Sequence, residues 1–335
     1  MGDGRRVSES TSANRAYLLS GFQIWLEEHG TSFDAVVLEK NCDLDSLNQW
    51  LVEYGRWLFA SGKPYYYFSE TINAVSVKRP ILRRAMQQAW DLAFMWHSYE
   101  PTEHHIAMPH QILLAVLSTA LAWGWKREAG IFALAWGAIL RIGEIFQSYR
   151  KDLIIPQDVD CSIDHVLLKI REPKTRYRSA RQQTGKLEHL DLIQVVTTGL
   201  GSLHKNELLW PYSGSTLRNR LKKILERLNL PHDGTQGIKP LTLASFRPGG
   251  ATFLISKTDA AETVRRRGRW ISLKVMETYL QEVTSATYMN EISTTARQKV
   301  MLGCRAFPEL LQKAMHLNEV HIPEQTWFYL FTAAS

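Results

Sequence analysis

Three residue types in one segment of the chain suit chemistry on a phosphate group. Arg247, Trp270 and Tyr279 lie within residues 241–283, and the tyrosine follows the tryptophan by nine residues and the arginine by thirty-two. A guanidinium can hold two phosphate oxygens in one plane, an indole N–H donates one hydrogen bond, and a phenol can act as a nucleophile. Because phenols ionise near pH about 10, such a nucleophile needs clustered cations around it.

Two upstream residues can supply that charge. Arg141 stands at the end of an apolar run, in the sequence Leu140–Glu144, where a pair with Glu144 is the simpler alternative to an anionic ligand. Lys174 lies in a Pro-Lys-Thr turn between β-favouring segments, within a stretch 169–186 of seven basic residues and one acidic residue. A solvated charge run is the alternative there.

Helices and a small sheet must position these residues. Helical spacing of apolar residues indicates short helices at 251–256, 260–266 and 273–280, two apolar helices at 111–125 and 127–141, and an amphipathic helix at 215–228. Strands are predicted at 153–155, 165–170 and 190–196, the last two as a hairpin. The expected fold class is therefore mainly α with a small antiparallel β-sheet.

The first part of the chain predicts a separate helical core. Residues 1–13 are small and polar and are expected to be disordered, whereas 14–100 are helical, with one helix at 47–58 and another that begins at Pro80 and buries an aromatic stripe. The polar segment 101–109 is the predicted linker, and His104 and His105 are assigned to it. A second domain then spans 110–295. The helical tail 296–335 either folds back on its own domain or docks on a neighbouring protomer.

Charge and cysteine content restrict the partners and the compartment. The chain has 335 residues and a formal charge of +7, and residues 141–280 contain 24 basic and 14 acidic side chains. This local excess favours a polyanion partner. The polar N-terminus, three cysteines without metal-ligand spacing and a longest uncharged apolar run of 14 residues predict a cytoplasmic or nuclear protein without a membrane span.

Taken in order, the motifs resemble the tyrosine recombinase (phage integrase) family. They are Leu-Arg-x-Gly-Glu, a lysine in a β-hairpin, L-T-x-x-x-[LF]-R-x-x-x-A-T, Gly-x-Trp and a tyrosine nine residues later. The tryptophan, where most members have histidine, resembles the Cre-type form. The likeness covers about residues 107–283. It implies a helical core-binding domain at 14–100 followed by the catalytic domain.

The resemblance also implies the role of each motif residue. Tyr279 is the nucleophile that forms a 3′-phosphotyrosyl link, and Arg141 and Arg247 hold the non-bridging phosphate oxygens. Lys174 is the general acid that protonates the leaving 5′-oxygen, and Trp270 donates its N–H to the phosphate. Such a reaction needs no metal and no cofactor, since the covalent bond conserves the phosphodiester energy.

The implied partner is double-stranded DNA, synapsed by a homo-oligomer that is expected to be a tetramer, in a recombinase encoded by a mobile element. The basic residues expected to contact DNA are Arg83, Arg176, Arg178, Arg181, Arg218, Lys222, Arg267 and Arg269. An ordinary surface helix explains the basic face at 215–228 equally well.

One position departs from the family pattern. Three residues before Arg247, where the family has His or Lys, the chain has Ala244, so the side chain that takes up the tyrosine proton is missing. Ser245 is one substitute. The alternatives are a decayed member that binds DNA without catalysis, a type IB topoisomerase-like enzyme, which resembles the His form, and a basic scaffold with no nucleic-acid role. Tyr288 is the second candidate nucleophile.

Overall fold

The structure is a computed structural model that describes residues 7, 9–39, 43–100, 104–171, 173, 182–234 and 238–332. The chain divides into two units, Met1–Glu103 and His104–Ser335. The boundary between the units therefore falls inside the segment 101–109 that the sequence analysis assigns to a linker.

Unit 1 is a helical bundle around an apolar core. Its helices are α1 (Glu9–Glu28), α2 (Leu44–Ala60), α3 (Tyr65–Lys78) and α4 (Gln87–Tyr99). The core is centred on Phe22, Leu51 and Phe68, which are completely buried. Asp43 caps α2 by accepting hydrogen bonds from the backbone N–H groups of residues 45 and 46, as its place before the apolar run predicts.

Three details of unit 1 correct the sequence predictions. Residues 9–13, expected to be disordered, belong to α1. The helix expected to begin at Pro80 is a single 3₁₀ turn, Pro80–Arg84, and α4 begins only at Gln87. Buried Asn48 stabilises this interruption, because its side chain donates to the Ala85 carbonyl at 2.8 Å. Phe94, expected on the buried aromatic stripe, is 60% exposed.

Unit 2 contains most of the helices and the sheet. Its helices are α5 (His110–Ala122), α6 (Lys126–Gly137), α7 (Ile142–Phe146), α8 (Leu190–Leu200), α9 (Gly214–Arg227), α10 (Phe246–Thr258), α11 (Ala261–Gly268), α12 (Leu273–Glu277), α13 (Glu282–Glu291), α14 (Thr294–Glu319) and α15 (Glu324–Thr332). With the sheet, these helices confirm the predicted fold class.

The sheet is antiparallel, in the order β1 (Leu153–Ile154), β2 (Val166–Ile170) and β3 (Gln183–Leu187). The strand predicted at 190–196 is wrong, because those residues form α8. Their buried side chains recur at helical intervals and face α6. The returning strand is instead β3, a polar segment whose alternate positions 183, 185 and 187 are buried.

The core of unit 2 is built around α5 and α6. Helix α14 packs along α5, and the Trp327 side chain of α15 is completely buried in the same core. Of the two alternatives for the C-terminal tail, the structure therefore shows the one in which the tail folds back on its own unit.

Helices α6 and α8 approach each other through glycines. A Cβ added to Gly199 would clash with the Lys126 carbonyl oxygen and would lie 3.2 Å from the Cα of Gly130. The backbones of the two helices are therefore too close for a larger side chain at this crossing.

Replacing Gly199 with alanine is expected to lower the free energy of unfolding of unit 2 by about 2 kcal/mol, because the added methyl group overpacks the crossing. Urea unfolding, with hydrogen exchange of the α6 and α8 amides, measures the change. Gly143→Ala is the control, since open space surrounds Gly143 within α7. Equal stabilities of the two variants would contradict the close approach of α6 and α8.

Candidate active site

Arg141 lies in a turn between two helices. The helix predicted at 127–141 ends earlier, at Gly137, and Ile139 adopts a positive φ of 52° that turns the chain. Arg141 then caps α7: its backbone N–H and its Nη1 each bond to the Glu144 carboxylate at 2.9 Å. The predicted pair with Glu144 is confirmed, but the helical environment predicted for Arg141 is wrong.

Glu144 holds a second arginine. Its Oε2 accepts a hydrogen bond from Arg269 Nη2 at 2.7 Å, and both side chains are 6% exposed. Arg269 adopts a left-handed φ of 57° at the end of α11, where glycine is favoured. The buried ion pair, together with hydrogen bonds to the carbonyls of residues 139 and 267, stabilises that backbone conformation.

The electrostatics of Glu144 follow from this position. Burial alone would raise the pKa of the carboxyl group, but the charge of Arg269, the Arg141 backbone N–H and the Arg141 charge together hold the pKa below its ordinary value. The carboxylate is therefore ionised at neutral pH and holds the guanidinium groups of Arg141 and Arg269 close together.

Among the described residues, Arg247 has no carboxylate partner of its own. It lies in the first turn of α10, is 5% exposed, and donates from Nη2 to the Gly268 carbonyl at 2.5 Å. Its Nε and Nη1 have no hydrogen-bond partner in the part of the chain that the structure describes. Burial and the positive charges of Arg141 and Arg269 lower the pKa of Arg247 to about 9, although Glu144 and Tyr279 act in the opposite direction. The group is still charged at neutral pH, and an anion beside it would offset the cost of its burial.

Two aromatic side chains cover Arg247. Its guanidinium carbon lies 4.8 Å from the centre of the Trp270 ring and 5.7 Å from that of Tyr279, and the two ring centres are 5.1 Å apart. The Trp270 indole N–H is buried and has no partner among the residues described. Tyr279 is half-buried, follows α12 directly and packs against the small apolar cluster that includes Met276.

The structure thus brings four of the five predicted catalytic residues together. Buried donors of Arg247 and Trp270 lack partners beside a phenol, and Arg141 adds a half-buried cation. A tetrahedral oxyanion such as phosphate would supply acceptors to these donors and a counter-charge to the arginines. The fifth residue, Lys174, lies outside the described residues, as do Arg176, Arg178 and Arg181.

Small residues flank Arg247 on both sides. Ala244 is exposed, whereas Ser245 is fully buried, and its hydroxyl accepts the Thr242 N–H at 3.1 Å. The Ser245 hydroxyl therefore caps the turn before α10, and its suggested role as a substitute for the missing base stays a prediction. A Cβ on Gly249 or Gly250 would clash with backbone oxygens of Met108 or Trp136, so the glycines let α10 lie against α6.

The remaining predicted DNA contacts have different environments. Arg218 and Lys222 are exposed on α9, and Arg83 is exposed in unit 1. Arg267 is half-buried and paired with Glu188, which also binds Lys186 of β3.

Arg269, also predicted to contact DNA, is instead buried. It forms an arginine cluster with Arg141 and Arg247 around Glu144. Its proximity to Glu144 had no sequence signal, because 125 residues separate them.

One neighbour of Tyr279 had been assigned to the linker. The ring centre of His104 lies 6.5 Å from that of Tyr279. Adjacent histidines in a polar segment have no periodicity that places them, so only the tertiary structure shows this proximity.

Comparisons with known proteins support the fold alone. No protein-family model and no curated protein matches the sequence. The Tn1549 transposon integrase in complex with transposon right end DNA aligns with a TM-score of 0.56 at 12% identity, over 85% of this chain and 94% of that chain. The same integrase in complex with a circular intermediate DNA aligns with a TM-score of 0.55 at 13% identity, over 85% of this chain and 94% of that chain.

A lambda integrase dimer bound to a COC′ core site aligns with a TM-score of 0.50 at 12% identity, over 83% of this chain and 73% of that chain. The chain therefore has the fold of the tyrosine recombinases, and the fold implied by the sequence motifs is confirmed. None of the helices in the described residues combines the length and apolar character needed to cross a bilayer.

Replacing Glu144 with glutamine is expected to destabilise unit 2 by about 3 kcal/mol at pH 7, because buried Arg269 loses its counter-charge. The folded-state pKa of Glu144 is depressed, so its contribution is present above the unfolded-state value and disappears as the pH falls through the folded-state value. Urea unfolding between pH 7 and pH 3 should show the difference shrinking on acidification.

The matched control is Glu262→Gln, which removes an exposed carboxylate paired with Arg265 and should change stability little. A constant difference between wild type and Glu144→Gln at all pH values would contradict the assigned ion pair.

Proposed function

We propose that this chain cleaves and rejoins strands of double-stranded DNA through a covalent 3′-phosphotyrosyl intermediate on Tyr279. The observation that supports this most strongly is the buried Arg247 guanidinium, which has unpartnered N–H groups and lies against the Tyr279 ring. A cation in this setting favours a bound anion next to a phenol, and a phosphodiester is the anion that a phenol can attack productively.

The proposed step exchanges one phosphodiester for another. The Tyr279 oxygen forms a bond to phosphorus, the bond from phosphorus to the 5′-oxygen breaks, and a 5′-hydroxyl leaves. Because the new phosphotyrosyl bond conserves the energy of the old one, a second 5′-hydroxyl can reverse the step without a nucleotide cofactor. Rejoining to a different strand is recombination.

The arginines stabilise charge in this reaction. The Arg247 and Arg141 guanidinium groups bind the two non-bridging oxygens, where negative charge increases in the transition state. The Trp270 N–H adds one donor. Glu144 orients Arg141 and Arg269, so it positions the cluster without contacting the phosphate.

The leaving 5′-oxygen needs a proton. Lys174, in the segment between β2 and β3, is the proposed donor and follows from the sequence motif. Arg176, Arg178 and Arg181 in the same segment, with Arg83, Arg218, Lys222 and Arg267, are the proposed contacts to DNA backbone phosphates. Neutralising phosphates supplies affinity without reading sequence.

The biological role proposed for this chemistry is site-specific recombination or integration of a mobile element, in the cytoplasm or nucleus. Two DNA-binding domains, the core-binding unit 14–100 and the catalytic unit that follows the linker, would clamp the duplex. A homotetramer on two synapsed duplexes supplies four nucleophiles for a complete exchange.

A second candidate function is DNA binding without catalysis. Exposed Ala244 favours it, since its methyl group cannot accept a proton. If this candidate is correct, wild type yields no covalent adduct and Ala244→His restores one.

A pool of nicked, randomised duplexes should give a covalent adduct with the wild-type protein that survives SDS, because the short strand beyond the nick dissociates and traps the intermediate. Tyr279→Phe is expected to abolish the adduct, and Arg247→Ala to slow its formation about 100-fold or more. Gel shift and sequencing of the captured DNA measure both effects.

Tyr288→Phe is the matched control. Tyr288 is fully buried with an unpartnered hydroxyl and a raised pKa caused by burial, so the variant loses no hydrogen bond and should keep the adduct. An adduct that persists in Tyr279→Phe and disappears in Tyr288→Phe would contradict the proposed nucleophile.

Binding to mixed-sequence duplex DNA should weaken as salt increases, because phosphate contacts release counterions. The double substitution Arg218→Ala/Lys222→Ala is expected to reduce the slope of log affinity against log salt by about 2. Fluorescence anisotropy measures the slope. Arg305→Ala, on the exposed face of α14, is the control that should leave it unchanged, and equal slopes in all proteins would contradict the α9 contact.

A further inference from the structure

The proposed reaction leaves the phenolic proton of Tyr279 without an acceptor in the arginine cluster. Arg247 and Trp270 lie against the Tyr279 ring, but a guanidinium and an indole carry hydrogen-bond donors only. Glu144 is occupied by Arg141 and Arg269. Ala244 has no polar atom in its side chain. A side chain that accepts this proton would therefore have to lie outside these groups.

His104 lies beside the Tyr279 ring. The two ring centres are 6.5 Å apart and the planes are tilted by 41°. His104 is exposed, so its imidazole has room to rotate towards the hydroxyl of half-buried Tyr279. Neutral imidazole has one nitrogen that accepts a proton, and it does so near neutral pH.

The segment that carries His104 is fixed to the nucleophile's own turn. Gln281, two residues after Tyr279, donates from Nε2 to the His105 carbonyl at 2.8 Å and accepts the Ala107 N–H at 3.0 Å. Its backbone N–H donates to the Thr252 hydroxyl of α10 at 3.2 Å. The amide of Gln281 therefore holds residues 105–107 beside the turn that presents the phenol.

The same segment is also fixed beside the first turn of α10. The Met108 N–H donates to the Ser245 carbonyl at 3.0 Å, and the Trp136 indole donates to the Met108 carbonyl at 3.1 Å. Ser245 directly follows Ala244. The histidine segment thus runs between the position that lacks a base and the tyrosine that needs one. His105 points elsewhere, since its Nδ1 lies 3.4 Å from the Thr242 hydroxyl.

We propose that His104 is the proton acceptor for Tyr279 in this chain, in place of a basic side chain at position 244. This inference rests on the proposed function. As the phenolic oxygen bonds to phosphorus, its proton passes to the free ring nitrogen of His104, and the departing 5′-oxygen takes a proton from a separate general acid. Rejoining returns the proton from His104 to the phenolic oxygen.

Single-turnover adduct formation on duplexes recovered from the randomised pool tests the proposal. His104→Ala should slow the step about 100-fold, the usual contribution of a general base, while DNA affinity stays unchanged. His105→Ala, the matched neighbour, should react at the wild-type rate. The double variant His104→Ala/Ala244→His should form the adduct at least tenfold faster than His104→Ala alone. A purely structural defect caused by His104→Ala would not be repaired in this way.

A substrate with sulfur in place of the leaving 5′-oxygen separates the two proton transfers. Sulfur leaves without protonation, so this substrate rescues the loss of a general acid but should leave His104→Ala slow. Rescue by sulfur would overturn the assignment of His104 as the acceptor. His104→Gln repeats the test with a planar polar side chain if the alanine variant folds poorly.

The outcomes distinguish this inference from the proposed function. A wild-type rate in His104→Ala, or a loss that Ala244→His does not restore, overturns the role of His104 and leaves the recombinase proposal intact. No adduct from wild type but an adduct from Ala244→His also overturns the role of His104. No adduct from either protein overturns both.

Discussion

The charge of Arg247 is the constraint on which the site depends. This guanidinium is almost completely buried, lies near two further arginines and has no carboxylate of its own among the described residues, so it raises the free energy of the ligand-free protein. The single negative charge of Glu144, shared between Arg141 and Arg269, offsets part of the repulsion, and the rings of Trp270 and Tyr279 cover the Arg247 cation. The protein thus maintains positive charge and buried donors beside the Tyr279 phenol, where a bound phosphate would supply acceptors.

The surrounding framework fixes that charge in place. Gly249 and Gly250 let the first turns of α10 lie against α6 and the segment before α5, which fixes the backbone that carries Arg247. The positive φ of Ile139 directs Arg141 out of the turn after α6. The function proposed for the site therefore depends on close backbone packing at these glycines as well as on the charged side chains.

The sequence predicts residues of the site correctly where they are close together along the chain or follow one another in a distinctive order. Arg141, Arg247, Trp270 and Tyr279 were found in this way, as were α9 and α10. The sequence-based predictions are wrong, or missing, where tertiary contacts determine the secondary structure or the burial of a residue. Residues 190–196 favour a strand by composition but form a helix because they pack on α6, and β3 is too polar to stand out. The burial of Arg269 and the proximity of His104 to Tyr279 depend on contacts over more than one hundred residues.

The covalent attachment itself is the most direct test of the central claim. After incubation with nicked duplex DNA, nuclease digestion and proteolysis, tandem mass spectrometry can locate a residual nucleotide on the peptide. A 3′-phosphonucleotide attached to the oxygen of Tyr279 is the predicted result. A nucleotide on Tyr288 or any other residue, or unmodified peptides from both the wild type and the Ala244→His variant, would contradict strand transfer through Tyr279.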